Sequence, residues 1–542
     1  MATTYADDPR REQTLAQVLK KRVQRVGDKP WVVTAERAYS YREIDTVSTR
    51  LGHGLMAAGI AKGETVLIFL PDTIDYIHIW CALAKFGAIE VPVNVHYQGG
   101  ILAHVVNDSL AETMIVDRQY LDRLEVIRDE IETVQRLILY SEKADGTEPM
   151  LPESLAGRFE ALRFEDLFSE AESEIPDGPV YNDLIGVMYT SGTTGPSKGA
   201  MITQCHAFEY AIVAVECLEM RSDDVYYGPL PMFHIAGQWA VIYAACIMDA
   251  TAVLAGTFSI AAFWDDIRRH NATCCFLLGA MMNFVNNQEP RPDDADHSLK
   301  RIITAPLIPD VEAFKTRFGV LVSTTWGGTE MNCPMRSGFD LVDNRTCGRV
   351  AEDRYEVRLV DANDEEVPPG VPGEAVVRAK EPWILMAGYW RHDDWTARAW
   401  RNLWYHTGDM LMRDEAGNFY FVDRTKDAIR RRGENISSME VEFEINAHPD
   451  VLESAVIPID SAETEQEVMA VIVPRSGRRI DPEALIRFLE PRMAYFMVPR
   501  YVDLVEALPK TPTGKIQKYE LRDAGVTPST WDRVAAGVKL KR

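Results

Sequence analysis

The stretch MYTSGTTGPSKGAMIT, from Met188 to Thr203, decides how the chain is interpreted. It places six Ser and Thr residues, three glycines and one lysine between an apolar run and a helical pattern that extends from Gln204 to Glu216. We expect this loop to present backbone N–H groups at one end of a sheet, where anions bind. It is not a Walker A loop, since Lys198 lies between Ser197 and Gly199. The loop predicts a phosphate site, with an ordinary Ser/Thr/Gly turn as the alternative.

The pattern upstream of this loop predicts an α/β fold. Apolar runs such as TVLIFL, AIEVPV and TMIVD alternate with helical patterns, which is typical of a parallel sheet covered by helices. Ser40 and Glu43 form a capping box, which predicts a helix to about Ala58. A polar stretch over residues 141–183 is predicted to lie on the surface, and IGVMYT before the loop is predicted to be a buried strand.

The pattern changes downstream. From Tyr355 short strands alternate with turn signals, which predicts a β-rich subdomain. A small α+β unit is expected to begin near Lys426, with a second capping box over residues 437–440 and a helix to about Ala447.

Composition limits the class of protein. A chain of 542 residues is too long for one hydrophobic core. Its formal charge of −24 argues against a nucleic-acid partner or an anionic membrane surface. Eight cysteines without a C-x-x-C pair favour a reduced, cytoplasmic protein. The longest apolar run, Trp239 to Met248, is much shorter than the roughly 20 residues that cross a bilayer, so we expect a buried helix and no integral membrane association.

Four further motifs follow the loop in order. They are TTWGGTE (324–330), YHTGDM (405–410), DRTKDAIRRRGENISSMEVE (423–442) and LPKTPTGKIQK (508–518). With the loop, they resemble the motifs of the AMP-forming adenylating enzymes, which include acyl-CoA synthetases, nonribosomal adenylation domains and firefly luciferase. DDVYYGPLPMFHIAGQ and neighbouring segments look most like the crotonobetaine/carnitine-CoA ligases. The resemblance implies a large N-terminal domain over residues 1–424, a hinge at 425–427 and a small mobile C-terminal cap over 428–542.

The resemblance also implies a reaction in which a carboxylate attacks the α-phosphate of ATP and expels pyrophosphate. Lys515, Glu330, Thr329 and Lys198 are the expected catalytic residues, and Glu330 and Thr194 are expected to hold Mg²⁺. The remaining ATP contacts are expected from the phosphate loop (Thr190, Ser191, Gly192, Thr193, Thr194, Gly195), the adenine site (Ala305, Pro306, Trp326, Gly327) and the ribose site (Asp409, Arg424).

A second step with coenzyme A is implied by the hinge and the C-terminal cap. Lys426 corresponds to the hinge, and Gly433 to a wall of the pantetheine tunnel. The basic cluster Arg430 to Arg432, with Arg432 foremost, is expected either to face CoA phosphates or to form a solvated helix face. The acid pocket is expected to be mostly apolar and to contain His234, Trp239, Gly279, Met282, Gly328 and Met331.

Other functions remain open at this point. An adenylating enzyme could transfer its product to a carrier-protein thiol or oxidise it as luciferase does. A nucleotide-binding regulator without catalysis is a third alternative. The expected partners are a small carboxylic acid, ATP and CoA, and both a monomer and a homodimer remain open.

Overall fold

The computed structural model describes residues 14–141, 151–190, 197–256, 258–424, 429–431, 434–436, 438–461, 466–493, 495–510 and 516–540. These residues form two compact units. The first unit comprises Met1–Val342, Gly348–Glu356 and Arg378–Tyr405, and the second comprises Asp343–Cys347, Val357–Val377 and His406–Arg542. The expected domain boundaries at 424 and 427 stay predictions.

The chain mixes helices and strands throughout, as the α/β prediction requires. The α-helices are α1 Leu15–Val26, α2 Tyr41–Ala57, α3 Ile74–Phe86, α4 Gly99–Asp108, α5 Leu121–Ile127, α6 Gln204–Cys217, α7 Ala244–Ile247, α8 Phe263–His270, α9 Gly279–Asn286, α10 Val311–Phe318, α11 Asp393–Ala399, α12 Ser438–Asn446, α13 Pro482–Leu489 and α14 Lys518–Ala524. The β-strands are β1 Pro30–Val33, β2 Ala38–Ser40, β3 Thr65–Phe69, β4 Ile89–Pro92, β5 Thr113–Asp117, β6 Arg136–Tyr140, β7 Glu160–Arg163, β8 Leu184–Thr190, β9 Lys198–Thr203, β10 Val225–Gly228, β11 Thr251–Leu254, β12 Cys274–Leu278, β13 Arg301–Ala305, β14 Leu321–Gly328, β15 Asn332–Arg336, β16 Thr346–Val350, β17 Tyr355–Val360, β18 Gly373–Ala379, β19 Gly388–Tyr389, β20 Tyr405–Arg413, β21 Phe419–Arg424, β22 Ile429–Arg431, β23 Glu434–Ile436, β24 Val451–Asp460, β25 Gln466–Pro474, β26 Tyr501–Leu504 and β27 Trp531–Asp532.

The first unit contains an eight-stranded sheet in the order β19-β9-β8-β4-β3-β5-β6-β7. Strands β3 to β7 pair in parallel, and every residue of β3 and β5 is buried. Burial on both faces explains why these strands are continuous apolar runs instead of alternating ones. The strand predictions for TVLIFL, AIEVPV and TMIVD are confirmed.

A second run of parallel strands crosses the first unit in the order β11-β10-β12-β13-β14. An apolar core covers it, in which α8, α9 and α10 contribute Phe263, Met282 and Phe314. The antiparallel strand β15 follows β14 after a tight turn that contains Glu330. The turn therefore lies at the carboxyl end of a buried parallel strand, where ligand sites are expected.

The phosphate loop corrects one expectation. The segment between Thr190 and Gln204 was expected to be a loop, but residues 198–203 form β9, which pairs antiparallel with β8 and places Lys198 opposite Thr190. The motif is thus a β-hairpin that leads into a helix. The backbone of Gly199 to Thr203 pairs with the edge of β8, and Thr203 then caps α6 by accepting the backbone N–H of His206.

The helical predictions in the first unit are largely confirmed. Ser40 and Glu43 form the expected capping box at the start of α2. The apolar run from Trp239 is buried and helical, but Ala236–Tyr243 winds as a π-helix before α7. Within the polar stretch the described residues 151–183 are mostly exposed, although Phe164 and Ile175 are buried. Within the described part of the chain, none of the helices has the length and apolar character needed to cross a membrane.

A buried network of ion pairs fixes α6. Arg354, 5% exposed, donates from Nη2 to both oxygens of Glu216 at 2.7 Å and from Nη1 to Glu209. Arg336 also contacts Glu216. Two cations and two carboxylates therefore compensate one another beside the helix that follows the phosphate hairpin.

The second unit is β-rich, as predicted from Tyr355 onward. Strands β17, β18, β20 and β21 lie side by side, and β24 to β27 form a separate four-stranded sheet. Helices α12 and α13 contribute Val441, Ile445 and Leu485 to a core against this sheet. The capping box expected over residues 437–440 includes position 437, which lies outside the described residues.

All eight cysteine side chains fall in the described part of the chain, where they are buried and none is joined in a disulfide.

Candidate functional site

Two elements of the first unit bring Thr190 and Glu330 together. Thr190 ends β8, and its Oγ1 donates to Glu330 Oε1 at 3.0 Å. The hydroxyl of Tyr389 reaches the same oxygen at 3.4 Å. Burial, and then the Glu330 carboxylate, raise the pKa of Tyr389, so this hydroxyl keeps its proton and acts as a donor. The Glu330 carboxylate is therefore held in one orientation by two hydroxyls.

Lys198 lies over the face of the Tyr389 ring. Its Nζ is 5.3 Å from the centroid of the Tyr389 ring and 5.1 Å from that of Trp395. Both distances are within the range of cation–π attraction. The sequence interpretation did not identify Tyr389 or Trp395. The run MAGYWRHDDWT is the only local signal, and the strand pairing of Tyr389 with Ala200 is what brings these rings to Lys198.

The turn that carries Thr329 and Glu330 is supported by α6. Asn332 is fully buried, and its Nδ2 donates to the carbonyls of His206 and Ile384 at 3.2 and 3.3 Å. The imidazole of His206 is also fully buried. Burial lowers its pKa to about 4. A neutral imidazole is thus buried on the helix that supports the turn with Thr329.

The residues expected around adenine lie on neighbouring parallel strands. Ala305 ends β13, Pro306 follows it, and Trp326 and Gly327 end β14. Trp326 is buried. A Cβ at Gly327 would lie 2.0 Å from the carbonyl oxygen of Asn332, so this position accepts no side chain. The structure brings these four residues to one end of one sheet, and their contact with adenine stays a prediction.

His234 has a surface that is exposed to solvent, and protein atoms surround the rest of its side chain. Its Nδ1 accepts the backbone N–H of Ala236 at 3.2 Å. Desolvation by the surrounding protein lowers the pKa of His234. Because Nδ1 accepts the bond from Ala236, the neutral imidazole carries its proton on Nε2, which suits the gate that the sequence predicts.

The other residues expected in the acid pocket occupy different depths. Trp239 is fully buried and contacts the rings of His206 and Tyr210 edge-on. Met282 belongs to the core of the parallel sheet. The remaining three lie near the strand ends described above: Gly279, Gly328 and Met331. A Cβ at Gly279 would lie 2.6 Å from the Pro306 carbonyl, so α9 begins against the expected adenine segment.

Two carboxyl groups near the acid-pocket segment were not identified from the sequence. Glu90 on β4 is fully buried, and Gln238 Nε2 donates to its two oxygens at 3.0 and 2.8 Å. Burial raises the pKa of Glu90 to about 8. Asp72 accepts the backbone N–H of Met232 at 2.8 Å, and burial raises its pKa to about 6. At pH 7 Glu90 is protonated and Asp72 is mostly ionised.

In the second unit the residues expected to bind ribose lie opposite each other. Asp409 on β20 pairs directly with Arg424 on β21. Thr407 Oγ1 accepts the N–H of Asp409, and Glu374 accepts the N–H of Gly408 at 3.1 Å. Gly408 has φ +71°, a conformation that glycine adopts without strain. This turn fixes the backbone on which the Asp409 carboxylate is carried.

One expectation for the basic cluster is wrong. Residues 429–431 form a strand, so they are not a solvated helix face. Arg431 is buried, pairs with Glu467 at 2.6 Å and donates to the Phe496 carbonyl, because a guanidinium in this core needs a carboxylate partner. It therefore cannot face CoA phosphates.

Several expected site residues lie outside the described part of the chain and stay predictions. They are Ser191, Gly192, Thr193, Thr194, Gly195, Lys426, Arg432, Gly433 and Lys515.

Comparison with known proteins gives a consistent result. A family model described as AMP-binding enzyme matches residues 19–390, and one described as AMP-binding enzyme C-terminal domain matches residues 440–515. Crotonobetaine/carnitine–CoA ligase of Salmonella arizonae is 31% identical over 494 residues, covering 89% of this chain and 93% of that protein. The Escherichia coli protein of the same name is 31% identical over 493 residues, with 89% and 93% covered.

Solved structures show the same fold at lower identity. The anthranilate CoA ligase AuaEII in complex with anthranoyl-AMP is 22% identical with a TM-score of 0.85, covering 99% of this chain and 100% of that chain. ATP-bound MatB from Rhodopseudomonas palustris is 24% identical with a TM-score of 0.81, covering 94% and 99%.

Proposed function

Because the chain belongs to the AMP-binding enzyme family and is an AMP-forming acyl-CoA synthetase, we propose that it joins a small carboxylic acid to coenzyme A in two steps. In the first step the acid attacks the α-phosphate of ATP, an acyl-adenylate forms and pyrophosphate leaves. In the second step the CoA thiol attacks the acyl carbon and AMP leaves. The observation that carries the proposal is the grouping of Thr190, Lys198 and Glu330 at the end of the phosphate hairpin.

The first step needs positive charge and donors around the phosphates before negative charge develops there. Lys198 supplies an ammonium at the start of β9, and Thr190 and Thr329 supply hydroxyls. Lys515 is proposed to add the cation that approaches the α-phosphate when the C-terminal part closes. Asp409 and Arg424 would hold the two ribose hydroxyls, since a carboxylate accepts both.

Magnesium fits the residues present. The Glu330 carboxylate offers a hard oxygen ligand of the kind that Mg²⁺ takes when ATP phosphates and water supply the others. Both hydroxyls that contact Glu330 use Oε1. In this proposal Glu330 Oε2 would bind the cation, and Thr194 would be the second protein ligand. Bound there, Mg²⁺ would neutralise phosphate charge.

The second step is proposed to follow a rotation about Lys426 that exchanges Lys515 for the segment around Gly433. A glycine at this position would leave room for the pantetheine arm. Within the basic cluster, Arg432 is the residue proposed to bind CoA phosphates, because Arg431 forms an ion pair with Glu467.

We propose an acid with an uncharged, mostly apolar body. Two described groups at or beside the expected pocket are neutral: His234 is neutral at pH 7, and Glu90, which the sequence did not reveal, is protonated and bonded to Gln238. A cationic acid such as those in the names of the curated relatives is the second candidate. The ionised Asp72 beside Met232 is the observation that favours it.

The test is pyrophosphate release with ATP and Mg²⁺ across carnitine-like, fatty, aromatic and polycyclic acids, each with and without CoA. A CoA-dependent turnover, with the thioester identified by mass, is the expected result. Release that is indifferent to CoA would favour a carrier-protein thiol or luciferase-like oxidation, and no release would favour a regulator. Preference for a cationic acid that is lost in Asp72→Asn would support the second candidate. A cytoplasmic location and a homodimer are part of the proposal and need separate measurements.

A further inference from the structure

Two opposite charges of the phosphate site contact one aromatic side chain at different places. The ammonium of Lys198 lies over the face of Tyr389, and the hydroxyl of the same residue contacts Glu330. Among the described residues no carboxylate oxygen lies within 4.0 Å of Lys198 Nζ. The nearest partners that the structure gives this cation are the rings of Tyr389 and Trp395.

An ion pair between Lys198 and Glu330 would work against nucleotide binding. Each group would neutralise the other, and ATP would have to break the pair before its phosphates could use the lysine. A ring face attracts an ammonium through its quadrupole without carrying a net charge. Aromatic partners therefore hold the cation and leave its charge available to an incoming anion.

The second ring is fixed by its own neighbours. The imidazole of His392 stacks on Trp395 with centroids 3.6 Å apart and an interplanar angle of 16°. The next residue, Thr396, accepts the backbone N–H of Tyr389 at 2.8 Å, which ties the start of α11 to β19. Both rings therefore keep their positions beside Lys198.

We propose that Tyr389 and Trp395 form an aromatic bracket that keeps the Lys198 ammonium apart from the Glu330 carboxylate, so that both charges remain available to the Mg²⁺-nucleotide. The two aromatic side chains are positioning residues. The inference rests on the proposed function, and it adds the device that prevents the two groups from pairing when the site is empty of nucleotide.

The test is ATP affinity measured by titration calorimetry in EDTA and without acid, so that neither metal nor turnover contributes. Trp395→Leu should weaken ATP binding about two- to fivefold, the range of a cation–π contact, because Lys198 becomes free to pair with Glu330. Trp395→Phe, which keeps a ring, should stay closer to wild type. Trp404→Leu is the matched control, at a tryptophan whose ring lies against the Arg378 guanidinium.

A double variant isolates the pairing. In Trp395→Leu/Glu330→Gln the lysine has no carboxylate to pair with, and ATP affinity should return toward that of Glu330→Gln alone. A simple packing defect at Trp395 would not be rescued in this way. Tyr389→Phe keeps the ring and loses the hydroxyl, so ATP affinity in EDTA should be unchanged while the Mg²⁺ concentration for half-maximal pyrophosphate release rises.

The outcomes separate the bracket from the function. Equal or tighter ATP binding in Trp395→Leu, or no rescue by Glu330→Gln, would overturn the bracket and leave the ligase activity standing. If the wild type binds ATP and the variants change ATP affinity as expected, but the wild type consumes no acid, the proposed function is overturned and the bracket stands. Failure of the wild type to bind ATP would overturn both.

Discussion

Replacing Glu90 by glutamine should change how stability depends on pH. In the folded protein the carboxyl is fully buried, and its pKa rises from 4.5 to about 8. Between these values the folded protein keeps a proton that the unfolded chain releases. The free energy of unfolding must therefore fall as the pH rises from about 4.5 to about 8, and it stays constant above that.

The size of the effect follows from the same two values. At 1.36 kcal/mol per pH unit, the difference corresponds to a loss of at most about 5 kcal/mol over the whole window. For a chain of this length about 1 kcal/mol moves the melting temperature by roughly 1 °C. Glu90→Gln cannot ionise and keeps an amide beside Gln238. The difference in melting temperature between Glu90→Gln and the wild type should therefore change by about 3 to 4 °C in favour of the variant as the pH rises from 5 to 8.

Differential scanning calorimetry at half-unit pH steps is the assay. Glu130→Gln, at an exposed position, is the matched control and should run parallel to the wild type. If Glu90→Gln also runs parallel to the wild type from pH 5 to 8, Glu90 is ionised in the folded protein and the argument from burial fails.

Three further predictions concern other parts of the chain. Lys515→Ala should abolish adenylate formation in a pyrophosphate assay while transfer of a preformed adenylate to CoA is much less affected, and equal loss in both would contradict the two-position model. Gly433→Leu should do the reverse, sparing pyrophosphate release and blocking thioester formation. Arg354→Met should cost about 3 to 5 kcal/mol in denaturant unfolding because it leaves Glu209 buried without its cation, whereas Arg378→Met at a partly exposed pair should cost less than about 1 kcal/mol.

The sequence was sufficient to predict secondary structure where the local residue pattern matches the burial of the element. Strands β3 and β5 are buried on both faces and form continuous apolar runs, and Ser40 with Glu43 marks the start of α2 through a bond pattern confined to four residues. The expected adenine residues follow from motif order and end neighbouring strands. These features depend on residues that are close in sequence or on a motif of fixed spacing.

The features that the sequence did not reveal depend on distant pairs. Tyr389 reaches Lys198 only because β19 pairs with β9, almost two hundred residues earlier. Glu90 contacts Gln238 across 148 positions, and nothing in the segment DDVYYGPLPMFHIAGQ, which ends at Gln238, indicates that partner. The five residues after Lys198 continue a glycine-containing segment in the sequence, and only their pairing with β8 makes them a strand. The environment of Arg431 also depends on a residue distant in sequence, because its carboxylate partner is Glu467.

The pairing of Thr190 with Lys198 also determines which insertions and deletions the motif can tolerate. Because the two residues face each other on neighbouring strands, they mark one point at which the register of the hairpin is set. A single deletion inside β8 or β9 would turn every following side chain to the opposite face of the sheet. In an alignment of variants, gaps should therefore be absent from both strands, and a gap inside either strand should coincide with loss of nucleotide binding.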